Sequence, residues 1–493
     1  MSIWKRKPLA QLLAEAADSE KGLKRTLTAW SLIALGIGAI IGAGLFVRTA
    51  MAASQNAGPS VTIAFILAAV GCALAGLCYA ELSSSIPISG SAYTYTYATM
   101  GEFLAWIIGW DLILEYAVGA ATVGIAWSEY LNNLLVNVLH MSPIPYSLSH
   151  SPFQTNLETG ETGLINLPAL FIVAAISLLL IKGIQESAFV NGIIVIVKVA
   201  IVVLIIILGW SFIDPANHTP YIPPSSIFTD QHGIAHNFGG FWGIVGAAGT
   251  VFFAFIGFDA VSTAAQETKN PKRNMPIGIL GSLAICTLLY ILFAHVLTGI
   301  ASVDFFRGKG GEASVASAIQ EYMPGYTWLA NFVTVAILAG FSSVILVMLL
   351  GQSRVFYSMG KDGLLPKAFG DLHPKYQTPY KANLVILVIV GLFAAFVPGD
   401  IVGDMTSIGT LFAFVLVCIA VIILRKKEPD MKREFKTPFV PFVPLLGVAA
   451  CLLMMVGLGW TNWLRLLAWM VIGVIIYFVY SKKNSKLNND SEE

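Results

Sequence analysis

Apolar positions in this chain come in long unbroken runs divided by short polar stretches, not in the periodic stripes of a half-buried helix or strand. An α-helix needs about 20 apolar residues to cross the hydrocarbon core of a bilayer. Twelve runs qualify, near 28-52, 58-83, 101-137, 166-182, 186-212, 239-267, 276-302, 325-358, 380-398, 403-425, 438-459 and 463-481. They are numbered below as spans 1 to 12. Spans 3 and 8 exceed the length required and are expected to tilt or to extend past the bilayer. The pattern predicts an all-α integral membrane protein, with polar segments 1-27 and 482-493 at its ends.

Composition supports this. The 493 residues are 56% hydrophobic and 12% charged, whereas soluble domains carry about 25% charged residues. The net charge of +1 gives no reason to invoke nucleic acid. Cys72, Cys78, Cys286, Cys418 and Cys451 lie inside apolar runs without metal-ligand spacing, so they read as packing residues, and no cofactor is expected. The basic segment 1-27 leads into a full-length span, not a short apolar core with a small-residue cleavage site, so that span is expected to stay.

Charge placement orients the spans. With both termini and every second loop assigned to the cytoplasm, 24 of the 29 Lys/Arg residues are inside, as basic residues crowd cytoplasmic loops. Arg48, Arg307, Lys309 and Arg465 fall outside, and Lys198 lies within span 5. A miscount by one span would invert every later loop and destroy this asymmetry.

Backbone in lipid satisfies its own polar groups, so an interrupted span survives only where protein or a water-filled cavity surrounds it. Span 1 reads GIGAIIGAGLF from Gly36 to Phe46, with four glycines in nine residues. Each glycine costs a helix roughly 1 kcal/mol relative to alanine. Span 6 reads FFAFIGFDA from Phe252 to Ala260, with Gly257 near an intramembrane acid, Asp259. Close helix packing through the Gly38/Gly42 GxxxG pair is the simpler account of span 1. The two spans nevertheless hold matching places in successive five-span halves, 28-212 and 239-425, although the halves share no clear residue-level identity. Matching interruptions point to the substrate site of an inverted-repeat transporter. Free N–H groups around Gly42, Ala43 and Gly44 would favour an anion. Free carbonyls around Phe253, Ala254 and Ile256 would accept hydrogen bonds from an ammonium. Opposite clusters near the midplane describe an amino acid zwitterion.

These stretches, together with PISGSAYTY from Pro87, GWDLILEY from Gly109, FFAFIGFDAVSTAAQETKNPKRNMPIGI from Phe252, GQSRVFYSMGKDGLLP from Gly351 and SIGTLFAF from Ser407, resemble a known family. It is the amino acid–polyamine–organocation superfamily, and within it the cationic amino acid transporter branch, across roughly Gly22 to Tyr480. The resemblance implies a five-plus-five inverted repeat over 28-425, two additional helices over 438-481, alternating access and sodium-independent amino acid transport. It also implies that Ile40, Ala43 and Gly44 contact the substrate carboxylate. Phe253, Ala254 and Ile256 would hold the amino group, with the Phe253 ring gating the outer side. Many relatives carry Ser or Thr where this chain has Ala43, so a hydroxyl contact is missing and weaker or altered binding is expected.

Lys198 sits in the most apolar run of the chain, where a lysine costs about 2.5 to 3.5 kcal/mol on insertion scales. Snorkelling is the bland account, but long apolar stretches flank it. The sharper one is that Lys198 alternates between charged and neutral forms and couples transport to protons. It also matches a lysine that some family members place where sodium sits in sodium-coupled relatives. Glu115 reads equally as an interhelical hydrogen-bond partner and as a residue lining the site or pairing with Lys198. Asp259 reads as a cap for the second half of span 6. Met348 reads either as packing or as the floor of the side-chain pocket, where its thioether would favour small substrates such as alanine. Val118 and Thr122 are weaker pocket candidates.

The resulting expectation is a proton-coupled secondary transporter in a cytoplasmic membrane, with protons and membrane lipid as partners, carrying small neutral L-amino acids. Cationic amino acid uptake or exchange, and amino acid sensing without transport, are the alternatives. A small single-span partner is left open. The chain has no GxxxxGK[ST] loop for an ATP-driven pump, and its seven scattered histidines form no catalytic or metal constellation.

Overall fold

The computed structural model describes residues 3–8, 12, 27–88, 90–156, 159–183, 188–230, 233–309, 314–376 and 378–489. Most of the basic N-terminal segment, including Lys21, Lys24 and Arg25, and the last residues of the tail lie outside the described residues.

Within the described residues, each of the twelve apolar runs is helical. Span 1 comprises Ala29–Ile40 and a second half that resumes at Gly44. Span 2 is Val61–Ser85, span 3 Glu102–Val138, span 4 Leu167–Ile181 and span 5 Ala188–Gly209. Span 6 consists of Gly240–Phe252, a tight turn Phe253–Phe255 and the 3-10 segment Asp259–Glu267. Spans 7 to 10 are Pro271–Ile300, Thr327–Lys361, Tyr380–Phe396 and Gly399–Lys427. Spans 11 and 12 are Phe442–Gly457 and Trp460–Ile476. Spans 3 and 8 run for 37 and 35 residues, and at 1.5 Å per residue both outreach a 30 Å core.

Five short elements described next were not anticipated. The PISGSAYTY stretch contains a buried helix of its own, Ser91–Thr99. Outside the bundle, Ser226–Thr229 pairs antiparallel with Ala235–Phe238, and Val303–Lys309 and Ser314–Tyr322 form short helices between spans 7 and 8.

Small residues set the close crossings that dominate helix association in lipid. Span 7 packs along span 2 and against the first half of span 1. A Cβ on Gly36 would come within 2.4 Å of the Ser282 hydroxyl, and one on Gly278 within 2.6 Å of Leu32. Large apolar side chains are exposed along the outer faces, such as Phe171 and Leu178 on span 4, Ile196 and Ile207 on span 5 and Val471 and Ile475 on span 12. In water these would be a liability; in a bilayer they are the lipid-facing surface. All five cysteines are buried and unpaired.

One buried ion cluster ties spans 2 and 10 together. Glu81 is fully buried and takes both Nε and Nη2 of Arg425, at 3.0 and 2.7 Å, and the Thr437 N–H at 2.7 Å. The Arg433 guanidinium lies 3.3 Å away. Glu81→Ala strands two cations and is expected to cost roughly 3 kcal/mol, the low end for a broken buried pair because Arg425 is partly exposed and rehydrates. A lower melting temperature in detergent checks this; an unchanged one would show that the cluster adds nothing to stability.

Candidate functional site

The first half of span 1 ends where Ile41 turns out of the helix, at ψ 101°, with its N–H still donating to the Ile37 carbonyl. The Gly42 carbonyl then accepts from the Leu45 and Phe46 N–H groups at 3.2 and 3.4 Å. The Gly42 carbonyl thus accepts the first hydrogen bonds of the second half, and the N–H groups of Ala43 and Gly44 precede its first hydrogen-bonded turn. In span 6 the chain tightens over Phe253–Phe255, leaves the helix at Ile256 and passes Gly257 at φ +114°. That backbone conformation excludes a side chain, and a Cβ at Gly257 would also press on the Ala39 backbone at 3.0 Å.

The two interruptions touch. A Cβ on Gly44 would fall 2.1 Å from the Ala254 Cα. Gly42 faces span 8, where a Cβ would lie 3.2 Å from a Val344 methyl. The Tyr290 hydroxyl of span 7 lies 2.9 Å from the carbonyl oxygens of both Ile40 and Ala254. It has one proton to donate, so it serves one carbonyl at a time and links the two breaks. The Phe253 carbonyl accepts from the Ile256 N–H at 3.3 Å. Of the three carbonyls expected to be free, that of Ile256 has no hydrogen-bond donor among the described residues. Tyr290 was missed from sequence; its signal was a lone tyrosine in an apolar span.

Lys198 is buried against the first half of span 1. Its ammonium donates to the Gly38 carbonyl at 2.8 Å and to the Ser343 hydroxyl of span 8 at 3.1 Å. Gly340 makes room for the stem, since a Cβ there would sit 2.8 Å from the lysine Cε. The gap lined by Ile41, Phe46, Lys198 and Gly340 has no space for a water molecule.

A charged pair lies beyond the break in span 1. Arg48, one turn beyond Gly44, is buried and paired with Asp404 of span 10. Its guanidinium carbon lies 6.0 Å from the Phe253 ring centroid. Asp404 accepts in turn from the Asn462 amide of span 12 at 3.2 Å. The sequence reading counted Arg48 only as an external cation, although an arginine inside an apolar run carries the same signal as Lys198.

The acidic candidates gather elsewhere. Glu115 and Asp259 are both fully buried and adjoin one another, and the Tyr116 hydroxyl donates to the Asp259 carboxylate. Asp259 stands at the start of the 3-10 segment that follows the break. Met348 is buried between spans 3 and 8, its sulfur 3.3 Å from where a Gly119 Cβ would be. It lies one turn along span 8 from Val344, and thus beside the face that meets Gly42. The Thr122 hydroxyl donates to its own helix at the Val118 carbonyl, 3.2 Å away.

Residues 27–484 match the family model described as amino acid permease. The chain is 44% identical, over 99% of both chains, to the branched-chain amino acid permease BcaP of Bacillus subtilis (strain 168). It is 41% identical, again over 99% of both, to the methylthioribose transporter of the same organism. To the vacuolar cationic amino acid transporter 4 of Arabidopsis thaliana it is 32% identical, over 87% of this chain and 68% of the other.

Proposed function

The chain belongs to the amino acid permease family, within the amino acid–polyamine–organocation superfamily, and from that premise we propose a proton-coupled, sodium-independent carrier of neutral L-amino acids. It is a multi-pass membrane protein; the proposal adds a bacterial cytoplasmic membrane and two cytoplasmic termini, on the basic-residue asymmetry. The observation that carries the reading is the contact of the two interruptions at Gly44 and Ala254. On this reading the N–H groups of Ala43 and Gly44, at the start of the second half of span 1, face the Ile256 carbonyl. A zwitterion binds with its carboxylate on the first and its ammonium on the second. Arg48, Asp404 and Phe253 shut one side, and movement of the first half of span 1 against Lys198 opens the other. Protons bound at Lys198 drive accumulation.

A small side chain such as that of alanine suits a pocket floored by Met348. A second reading, branched-chain substrates, is favoured by the 44% identity to a permease so named. The cationic reading has less support, because Glu115 adjoins Asp259 beyond the break in span 6. The test is uptake of labelled L-alanine into sodium-free proteoliposomes, with and without an inward proton gradient. Unlabelled leucine, isoleucine, valine, arginine and lysine serve as competitors. Gradient-driven alanine accumulation blunted only by neutral competitors supports the reading. Uptake of arginine alone overturns it, and binding without movement of any substrate makes the protein a sensor.

Met348→Ala removes the proposed floor. It is expected to improve competition by leucine and arginine relative to alanine by about tenfold, the scale on which pocket volume discriminates. Unchanged competition profiles would return Met348 to ordinary packing.

A further inference from the structure

Away from the transport path, a recess of about 750 Å³ opens where span 7 begins. Lys272, Arg273, Ile277 and Gly281 of that helix line one wall, and Glu434 and Phe435, from the connection between spans 10 and 11, line the other. Lys272 and Arg273 are exposed, and among the described residues neither side chain has an ion pair or hydrogen bond. Both stand in the first turn of a 30-residue helix. That end already carries the positive pole of the helix dipole, so two further cations there are unfavourable unless an anion joins them. Glu434 on the opposite rim lowers this field without cancelling it.

The other end of the recess is apolar and leads into the membrane. Ile277 is 40% exposed, and Ile285 and Leu288 farther along span 7 are 38% and 62% exposed. With Gly281 these positions fall at helical spacing on one face, a continuous strip from the two cations to the lipid-facing surface. A free phosphate would use only the charged end. An amphiphile uses both.

We propose that this recess binds an anionic phospholipid, its phosphate held by Lys272 and Arg273 and an acyl chain lying along Ile277, Gly281 and Leu288. The inference goes beyond the transport reading and depends on it only for the leaflet, the cytoplasmic one. Phe435 closes the far side of the recess. A bound lipid therefore bridges the start of span 7 and the connection that Thr437 and Arg433 tie to Glu81.

Native mass spectrometry of the full chain, offered equal phosphatidylglycerol and phosphatidylcholine, tests the assignment. The unmodified protein is expected to retain phosphatidylglycerol selectively. Each basic residue is worth about fivefold in affinity for an anionic lipid, so Lys272→Gln/Arg273→Gln should lower that selectivity by more than tenfold. Lys269→Gln, at the same interface but outside the recess, should leave it unchanged, and millimolar inorganic phosphate should not displace the lipid. Equal retention by the double variant overturns the proposal. So does an equal loss in Lys269→Gln, which would mean a diffuse surface field, or displacement by phosphate, which would mean a headgroup-only site.

Discussion

Lys198→Met proteoliposomes are expected to lose gradient-driven accumulation of substrate, by tenfold or more, while still exchanging internal for external substrate. The expectation follows from where the ammonium sits. It donates to the Gly38 carbonyl and to Ser343 in a space too tight for water. A hydrogen bond from a charged donor contributes about 1.5–3 kcal/mol, roughly twice a neutral one. Protonated Lys198 therefore grips the first half of span 1 against span 8, and the neutral amine grips it less. In the proposed cycle, loading the proton from the acidic side and releasing it on the other would tie that grip to the direction of movement. Uptake by the unmodified protein should accordingly rise as the external pH falls. Methionine fills similar space beside Gly340 without a proton, so exchange survives and coupling does not. Lys198→Arg, which keeps a fixed charge, should also fail to accumulate. Wild-type accumulation by Lys198→Met under a gradient would sink the coupling role.

The parts of this arrangement that could be read from sequence are those with a local physical cause. Long apolar runs have one meaning in lipid, and glycines crowded at 36, 38, 42 and 44 weaken a helix at a definite place, so spans and breaks both appear along the chain. Lys198 announced itself by cost. What escaped were partners distant in sequence. Arg48 and Asp404 are 356 positions apart, and Tyr290 reaches the Ile40 carbonyl across 250; no spacing rule links such residues. Span 3 gave no warning that its backbone widens to a π-helical turn over Ile113–Val118, because no glycine or proline marks that stretch. That turn carries both Glu115 and Tyr116, and it is the setting in which they meet Asp259. The carbonyl cluster shows a third kind of limit. FAFIG signals an interruption, but which carbonyls stay open depends on a hydroxyl from another helix.

Gly44 supplies the sharpest test of the site itself, because its neighbour there is backbone and not a movable side chain. A methyl on Gly44 would lie 2.1 Å from the Ala254 Cα and 2.6 Å from its nitrogen. The two half-helices must then separate by more than 1 Å, and misplacement of that size costs about 10²-fold in a positioned site. Gly44→Ala is therefore expected to reduce uptake by about two orders of magnitude. Gly42→Ala is the matched comparison, two residues away in the same break. Its methyl would meet only a Val344 side-chain methyl at 3.2 Å, which can shift by a few tenths of an ångström at about 1 kcal/mol. A loss of about fivefold is expected there. Uptake rates, read beside the melting temperature of each variant, separate a damaged site from a damaged fold, since both substitutions replace glycine by a better helix former. If Gly44→Ala transports as well as Gly42→Ala, the breaks in spans 1 and 6 do not meet in the working carrier, and the zwitterion site proposed between them is wrong.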